Sequence, residues 1–173
     1  MLGVSDFAVV PAKGEENPPS GVGPGKTVEA LSAAKAAEVA ASADIEDVII
    51  AADTIVWAFG RILGKPSSAE DAESMLRELS GNTHEVYTGV TVIRGETTLT
   101  SHEVTKVTFR SISDGEIEAY INTGEPMDKA GAYGAQGIAS LFVERIDGDF
   151  FNVMGLPVCL LGQMLKKQGV NLL

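Results

Sequence analysis

Cysteine is almost absent from this 173-residue chain, in which Cys159 stands alone. A single thiol excludes an intramolecular disulfide framework and any zinc site built on cysteine pairs. Its neighbours Val158, Leu160 and Leu161 favour a buried structural thiol over a nucleophile. Histidine is scarce too, and His84 and His102 lie too far apart in sequence to suggest a metal cluster. No run approaches the ~18 apolar residues of a membrane span, and the first residues lack the basic start and apolar stretch of a secretory leader. A cytoplasmic protein with no membrane partner is therefore expected. Basic residues are in deficit, 13 Lys and Arg against 24 Asp and Glu, for a net charge of -11. That charge repels polyanions at long range, so no nucleic-acid partner is expected, and a small anionic substrate would need a local basic pocket.

What is present, 45% hydrophobic and 21% charged residues, suits one globular domain over residues 1–173. No internal repeat is visible. Residues 17–26 (NPPSGVGPGK) read as a loop because proline and glycine interrupt both helix and strand patterns. A helix is predicted over 27–42, where Val28, Leu31, Lys35 and Val39 fall near one face. Buried strands are predicted at 48–52 and 55–59, separated by Asp53 and Thr54, with Gly60 and Arg61 turning into Ile62 and Leu63. Ser67 and Glu70 form the capping box of a helix over 67–79 whose inner face is Ala72, Met75, Leu76 and Leu79. Strands over 85–94 and 97–110 make an antiparallel hairpin turning at Gly95 and Glu96. Ser113 and Glu116 cap a helix over 113–123, with Ile112 stapled against Ile117. Asp147 and Gly148 signal a second hairpin between strands at 141–146 and 149–154. Pro157 opens a last helix that turns Val158, Leu161 and Leu165 inward. Helices interleaved with hairpins, not with single strands, predict an α/β fold in which helices flank a mixed sheet.

Asp53 is the most informative single residue, because it follows the apolar run 48–52 and is expected at a strand end, where α/β sheets bind ligands. A carboxylate there can hold a divalent cation or take a proton from attacking water; the same pattern also suits a turn aspartate bonded to Thr54. Lys65 sits between Gly64, which admits a ligand close to the backbone, and Pro66, which stiffens the exit. Such a cation suits a phosphate, although a solvated turn lysine has the same appearance. Lys35, on the inner stripe of its helix, must snorkel outward, pair with a carboxylate or meet an anion. In residues 128–137 (DKAGAYGAQG), six of ten positions are glycine or alanine, which lets a ligand approach the backbone and makes the polar members conspicuous. The amide of Gln136 offers a donor and an acceptor that complement N3–H and O4 of uracil or thymine, unless it only satisfies loop backbone groups.

Five motifs occur in order over nearly the whole chain: AADTIV at 51–56, ILGKP at 62–66, LSGNTHEVYTGV at 79–90, TGEPMDKAGAYGAQG at 123–137 and GDFFNVMGLP at 148–157. Together they resemble the Maf family of nucleoside-triphosphate pyrophosphatases. The resemblance implies an α/β fold like that of inosine-triphosphate pyrophosphatases. It also implies hydrolysis of a nucleoside triphosphate to the monophosphate and pyrophosphate with a divalent cation, magnesium or manganese. It makes Asp53 the proton acceptor, associates Thr54 with substrate choice, and brings Lys35 and Lys65 to the triphosphate. Glu16, or the neighbouring Glu15, matches an acidic residue that joins Asp53 at the metal. Lys129 is a further candidate for phosphate contact. KAGAYGAQG and FNVMGLP resemble the branch acting on dTTP and UTP, whereas the 7-methyl-GTP branch usually has Ser-Phe and Glu near positions 133 and 136.

The chain departs from the family pattern at its start, where a strand and a Ser-rich loop ending in arginines usually come first; no Ser-Pro-Arg-Arg occurs in it. The resemblance therefore implies an N-terminally truncated domain with fewer phosphate donors and an open sheet edge. The leading expectation is a dTTP/UTP pyrophosphatase. Its rivals are a catalytically weak nucleotide-binding regulator of cell division and an inosine-triphosphate housekeeping enzyme. A homodimer is left open.

Overall fold

The computed structural model describes Val4, residues 7–14 and residues 17–172. Helix α1 runs over Pro24–Ala40. It starts three residues earlier than its periodicity alone indicates, because proline at the first helical position has a suitable fixed φ and no N–H to leave unpaired. Val28, Leu31, Ser32 and Ala36 form its buried face.

Strand β1 (Val48–Ala58) is continuous. The two separate strands expected on either side of Asp53 and Thr54 are thus one, and Asp53 lies in the middle of it, not at an end. The ladder passes through without a break, with Asp53 opposite Gly89 and Thr54 opposite Thr88. Both polar side chains find partners within the fold, so burial does not force the strand to stop. Phe59 and Gly60, at φ 53° and 77°, turn β1 into β2 (Arg61–Leu63), one residue before the expected turn.

Helix α2 (Ala69–Leu79) buries the four predicted residues, but its cap is Ser68 and not Ser67. Ser68 Oγ accepts the Asp71 N–H at 3.2 Å, while the Ser67 N–H donates to the Asp71 carboxylate at 2.9 Å. Strands β3 (Thr83–Arg94) and β4 (Thr97–Phe109) form the expected hairpin, with Arg94 opposite Thr97 across Gly95 and Glu96. Helix α3 (Asp114–Ile121) carries the expected capping box, the Glu116 carboxylate accepting the Ser113 N–H at 2.9 Å.

The second hairpin is a correction. Val143–Asp147 is strand β5, paired with β4, but residues 149–154 are not its return strand. The Asp149 carboxylate accepts the Phe151 N–H at 2.8 Å and opens a single helical turn, α4 (Phe150–Val153). That turn drives Asn152 into the sheet, where its Nδ2 donates to Val86 O and Thr105 Oγ1. Helix α5 (Val158–Lys167) follows Pro157 and buries Leu161, Met164 and Leu165. Cys159 is exposed, contrary to its expected burial, because it faces away from those three residues on the same helix.

Among the described residues the sheet order is β2-β1-β3-β4-β5, and every pairing is antiparallel. No parallel pair, the other component of a mixed sheet, occurs among them. Because β2 pairs only with residues 56–58 of β1, residues 48–55 have no described strand on their outer side. Side chains alternate across the sheet, so the α1 face takes Asp53, Gly89 and Thr91, and the opposite face takes Thr54, Val56, Val86 and Thr88. On that opposite face α2 and α3 build one apolar core around Leu76, Phe109 and Tyr120. Helix α5 builds a second on Val90 and Val92. No helix among the described residues is long and apolar enough to cross a membrane.

Candidate functional site

Gly89 decides how closely α1 lies on the sheet. A Cβ at this position would overlap the carbonyl group of Val28, so only glycine admits the helix at this distance. The close approach brings Lys35 over β1, where its Nζ meets Asp53 Oδ1 at 2.5 Å. The Asp53 side chain is 7% exposed and that of Lys35 27%. Of the three fates open to a lysine on an inner stripe, this one has the carboxylate partner.

Thr54 points to the opposite face. Its hydroxyl lies 2.9 Å from that of Thr88, which in turn donates to the backbone carbonyl of Asn152 at 2.9 Å. Thr88 and Asn152 were not predicted as site residues. Their signal was within the GNTHEVYTGV and FFNVMG motifs, but the strand assigned to 149–154 obscured it. The network ties β1 to α4 and to Gly155, whose backbone lines the same cavity as Thr54.

Two cavities meet at this part of the sheet. One, of about 610 Å³, is lined by Lys35, Asp53, Thr54, Gly64 and Lys65. The other, of about 500 Å³, is lined by Thr54, Lys65, Glu125, Lys129, Gln136 and Gly155 among others. Thr54, Lys65 and Ala130 border both. The Gly131 N–H donates to Gly64 O at 3.0 Å and so fixes the Lys65 turn against the glycine-rich segment.

That segment is a series of short 3-10 turns, at Glu125–Asp128, Ala130–Ala132 and Ile138–Leu141, with Gln136 exposed on the stretch between the last two. Lys129 Nζ pairs with Asp128 Oδ1 at 2.5 Å, and Lys65 lies near enough to help hold the Asp128 carboxyl below its usual range, after the larger effect of Lys129. His84, dismissed as a metal ligand, is a buried support: its Nε2 lies 2.7 Å from Tyr133 Oη. Burial pushes its imidazole down to about 4. Asp53, Thr54, Lys35, Lys65, Lys129 and Gln136 therefore all border one pair of joined cavities. Glu16, with the neighbouring Glu15, lies outside the described residues.

No group of three or more His, Cys, Asp or Glu converges among the described residues. Magnesium does not require one, since it binds through one or two carboxylates with phosphate and water oxygens completing the octahedron. Asp53, buried at the wall of a cavity large enough for phosphates, fits that mode.

Residues 1–168 match the family model described as Maf-like protein. The chain belongs to this family. A relative from Alkaliphilus metalliredigens is 53% identical over 153 residues, covering 87% of this chain and 79% of the relative. One from Pelotomaculum thermopropionicum is 46% identical over 176 residues, covering 100% and 91%. A third, from Clostridium perfringens, is 46% identical, covering 98% and 90%. All three are named dTTP/UTP pyrophosphatase. As a Maf protein the chain keeps all five motifs at its joined cavities or in the strands that frame them.

Proposed function

We propose that this Maf protein is a nucleoside-triphosphate pyrophosphatase that hydrolyses dTTP and UTP to the monophosphate and pyrophosphate. The observation that carries the reading is the meeting of two unlike cavities at Thr54 and Lys65. One has two lysines and a buried carboxylate, which suits the phosphates; the other has the Gln136 amide among glycines and alanines, which suits a pyrimidine. The junction then takes the sugar and α-phosphate.

In this mechanism a water attacks the α-phosphorus. A bond forms from the water oxygen to phosphorus, the bond from the α-phosphorus to the bridging oxygen of the β-phosphate breaks, and pyrophosphate leaves. Asp53 accepts the proton of the attacking water. Lys35 pairs with the Asp53 carboxylate in the free protein and shares its charge with the phosphates when they arrive, while Lys65 offsets charge at the junction. Lys129 approaches the same ligand from the side of Asp128. A magnesium or manganese ion, held by Asp53 together with Glu16 and phosphate oxygens, would supply further charge neutralisation. Gln136 reads N3–H and O4 of the base. The charge of -11 supports the absence of nucleic-acid and anionic-membrane partners, and a cytoplasmic location is part of the same proposal.

The test is pyrophosphate release from dTTP, UTP, CTP, ITP and 7-methyl-GTP, with magnesium and with chelator. Release from dTTP and UTP foremost is expected, and Asp53→Asn should lower kcat by roughly a hundredfold or more. Equal turnover in Asp53→Asn removes the proposed mechanism. Preference for ITP selects the housekeeping alternative, and binding without turnover selects the regulator.

A further inference from the structure

Glu125 was not among the residues singled out from the sequence, yet it borders the cavity that holds Gln136. Its Oε1 accepts the Tyr120 hydroxyl at 3.1 Å, and its Oε2 accepts the Ile138 N–H at 3.1 Å. One carboxylate thus joins the end of α3 to the residue two positions beyond Gln136. The other end of the same stretch is held by Tyr133 Oη against His84. Burial and the nearby Glu125 carboxylate push the Tyr120 phenol up, so it remains a donor. Gly137 is in the same contact: its φ of -94° suits any residue, but a Cβ there would overlap the Glu125 carboxylate. Glycine at 137 therefore serves the close approach of Glu125, not an unusual backbone.

We propose that Glu125 is a specificity-determining positioning residue, whose carboxylate fixes residues 133–138 so that the Gln136 amide meets the base at one angle. The inference rests on the reading of this cavity as the base site. A loop held at one end only would let the amide rotate, and a rotated amide presents its donor and acceptor to cytosine as readily as to uracil. Base choice, more than turnover, is what Glu125 controls.

The experiment compares kcat/KM for UTP and CTP in wild type, Glu125→Ala, Glu125→Gln, Gly137→Ala, the double variant Glu125→Ala with Gly137→Ala, and Gln136→Ala, with thermal midpoints measured alongside. Glu125→Ala should reduce the preference for UTP about tenfold, mainly through KM for UTP, since it loses both hydrogen bonds, from Tyr120 and from Ile138, to the charged acceptor. Glu125→Gln should restore most of it, because the amide oxygen can accept from Ile138 and the amide nitrogen can donate to Tyr120. Gly137→Ala, which displaces a flexible carboxylate and not backbone, should mimic Glu125→Ala. It should add little in the double variant, the signature of one shared contact. An unchanged preference in both Glu125→Ala and Gly137→Ala overturns the proposal. So does a Glu125→Gln as impaired as Glu125→Ala, which would mean that the charge itself acts on the ligand. An equal loss for both nucleotides that follows the thermal midpoint also overturns it. If Gln136→Ala leaves the preference intact, the base-site reading falls and takes this inference with it. If Gln136→Ala alters the preference and Glu125→Ala does not, only the positioning role falls.

Discussion

At the scale of single residues, the pairing of Asp53 with Lys35 is a contact whose two ends differ in burial, with the carboxylate 7% and the lysine side chain 27% exposed. Removing the lysine therefore costs more than removing the acid, because it leaves the more buried charge less compensated. Lys35→Met should destabilise the protein by about 1–3 kcal/mol in urea denaturation, between the values for exposed and fully buried pairs because Lys35 is partly exposed. Asp53→Asn should cost less in the same measurement, although under the proposed mechanism it is the variant expected to lose turnover. His84 provides a second test. Its imidazole is depressed from 6.5 to about 4 by burial, so the unfolded chain binds a proton before the folded one does as pH falls. Its contribution to stability is full above 6.5, declines through the interval from 6.5 to 4, and is gone below, a change of roughly 3 kcal/mol. In denaturant titrations at several pH values, His84→Gln should flatten stability across that interval. A wild-type slope unchanged by the substitution would show that the interval belongs to other groups.

Elements were legible in the sequence where a local chemical signal marked their ends, and illegible where a distant contact decided them. The β3–β4 turn, the α3 capping box and the inner face of α2 follow from side chains close to one another along the chain, whereas α5 buries Met164 in place of the expected Val158 beside Leu161 and Leu165. Asp53 interrupts an apolar run, and nothing nearby indicates that Lys35 and Gly89 make room for it within a continuous strand. Asp147 and Gly148 are a sound turn signal, but the stretch after them is decided by Asn152 bonding to Val86 and Thr105 of other strands. Of the residues singled out from the sequence, six border the joined cavities and Glu16 lies outside the described residues, whereas the division into two cavities, and the parts of Thr88, Asn152 and Glu125, depend on folding. The α1 approach is the element on which the site most depends. Gly89→Ala introduces a Cβ against backbone atoms of Val28, which cannot swing aside as a side chain can. It should cost about 2–3 kcal/mol and lower kcat by displacing Lys35, as read from thermal unfolding and turnover together. Gly115→Ala is the control. Position 115 lies in the first turn of α3 with no heavy atom near an added Cβ, so this change should be neutral or slightly stabilising.

For the whole molecule the dominant fact is a charge of -11 facing a substrate of the same sign. Near the cavities the signs nearly cancel, since Lys35, Lys65 and Lys129 are set against Asp53, Asp128 and Glu125. A nucleotide some distance away therefore experiences mainly the net repulsion, and one in the proposed site meets a local field in which the lysines offset the carboxylates. Salt separates the two. The Debye length falls from about 30 Å at 0.01 M to about 8 Å at 0.15 M, which screens the approach but leaves partly buried contacts of a few ångströms much less affected. Raising monovalent salt through that interval at fixed magnesium should therefore increase kcat/KM for UTP, by roughly two- to threefold, with kcat little changed. Steady-state kinetics along a salt series measures it directly. A decrease in kcat/KM over the same interval would mean that the lysines govern the approach as well as the bound state, and that the field of the whole surface is too weak at the cavity mouth to matter.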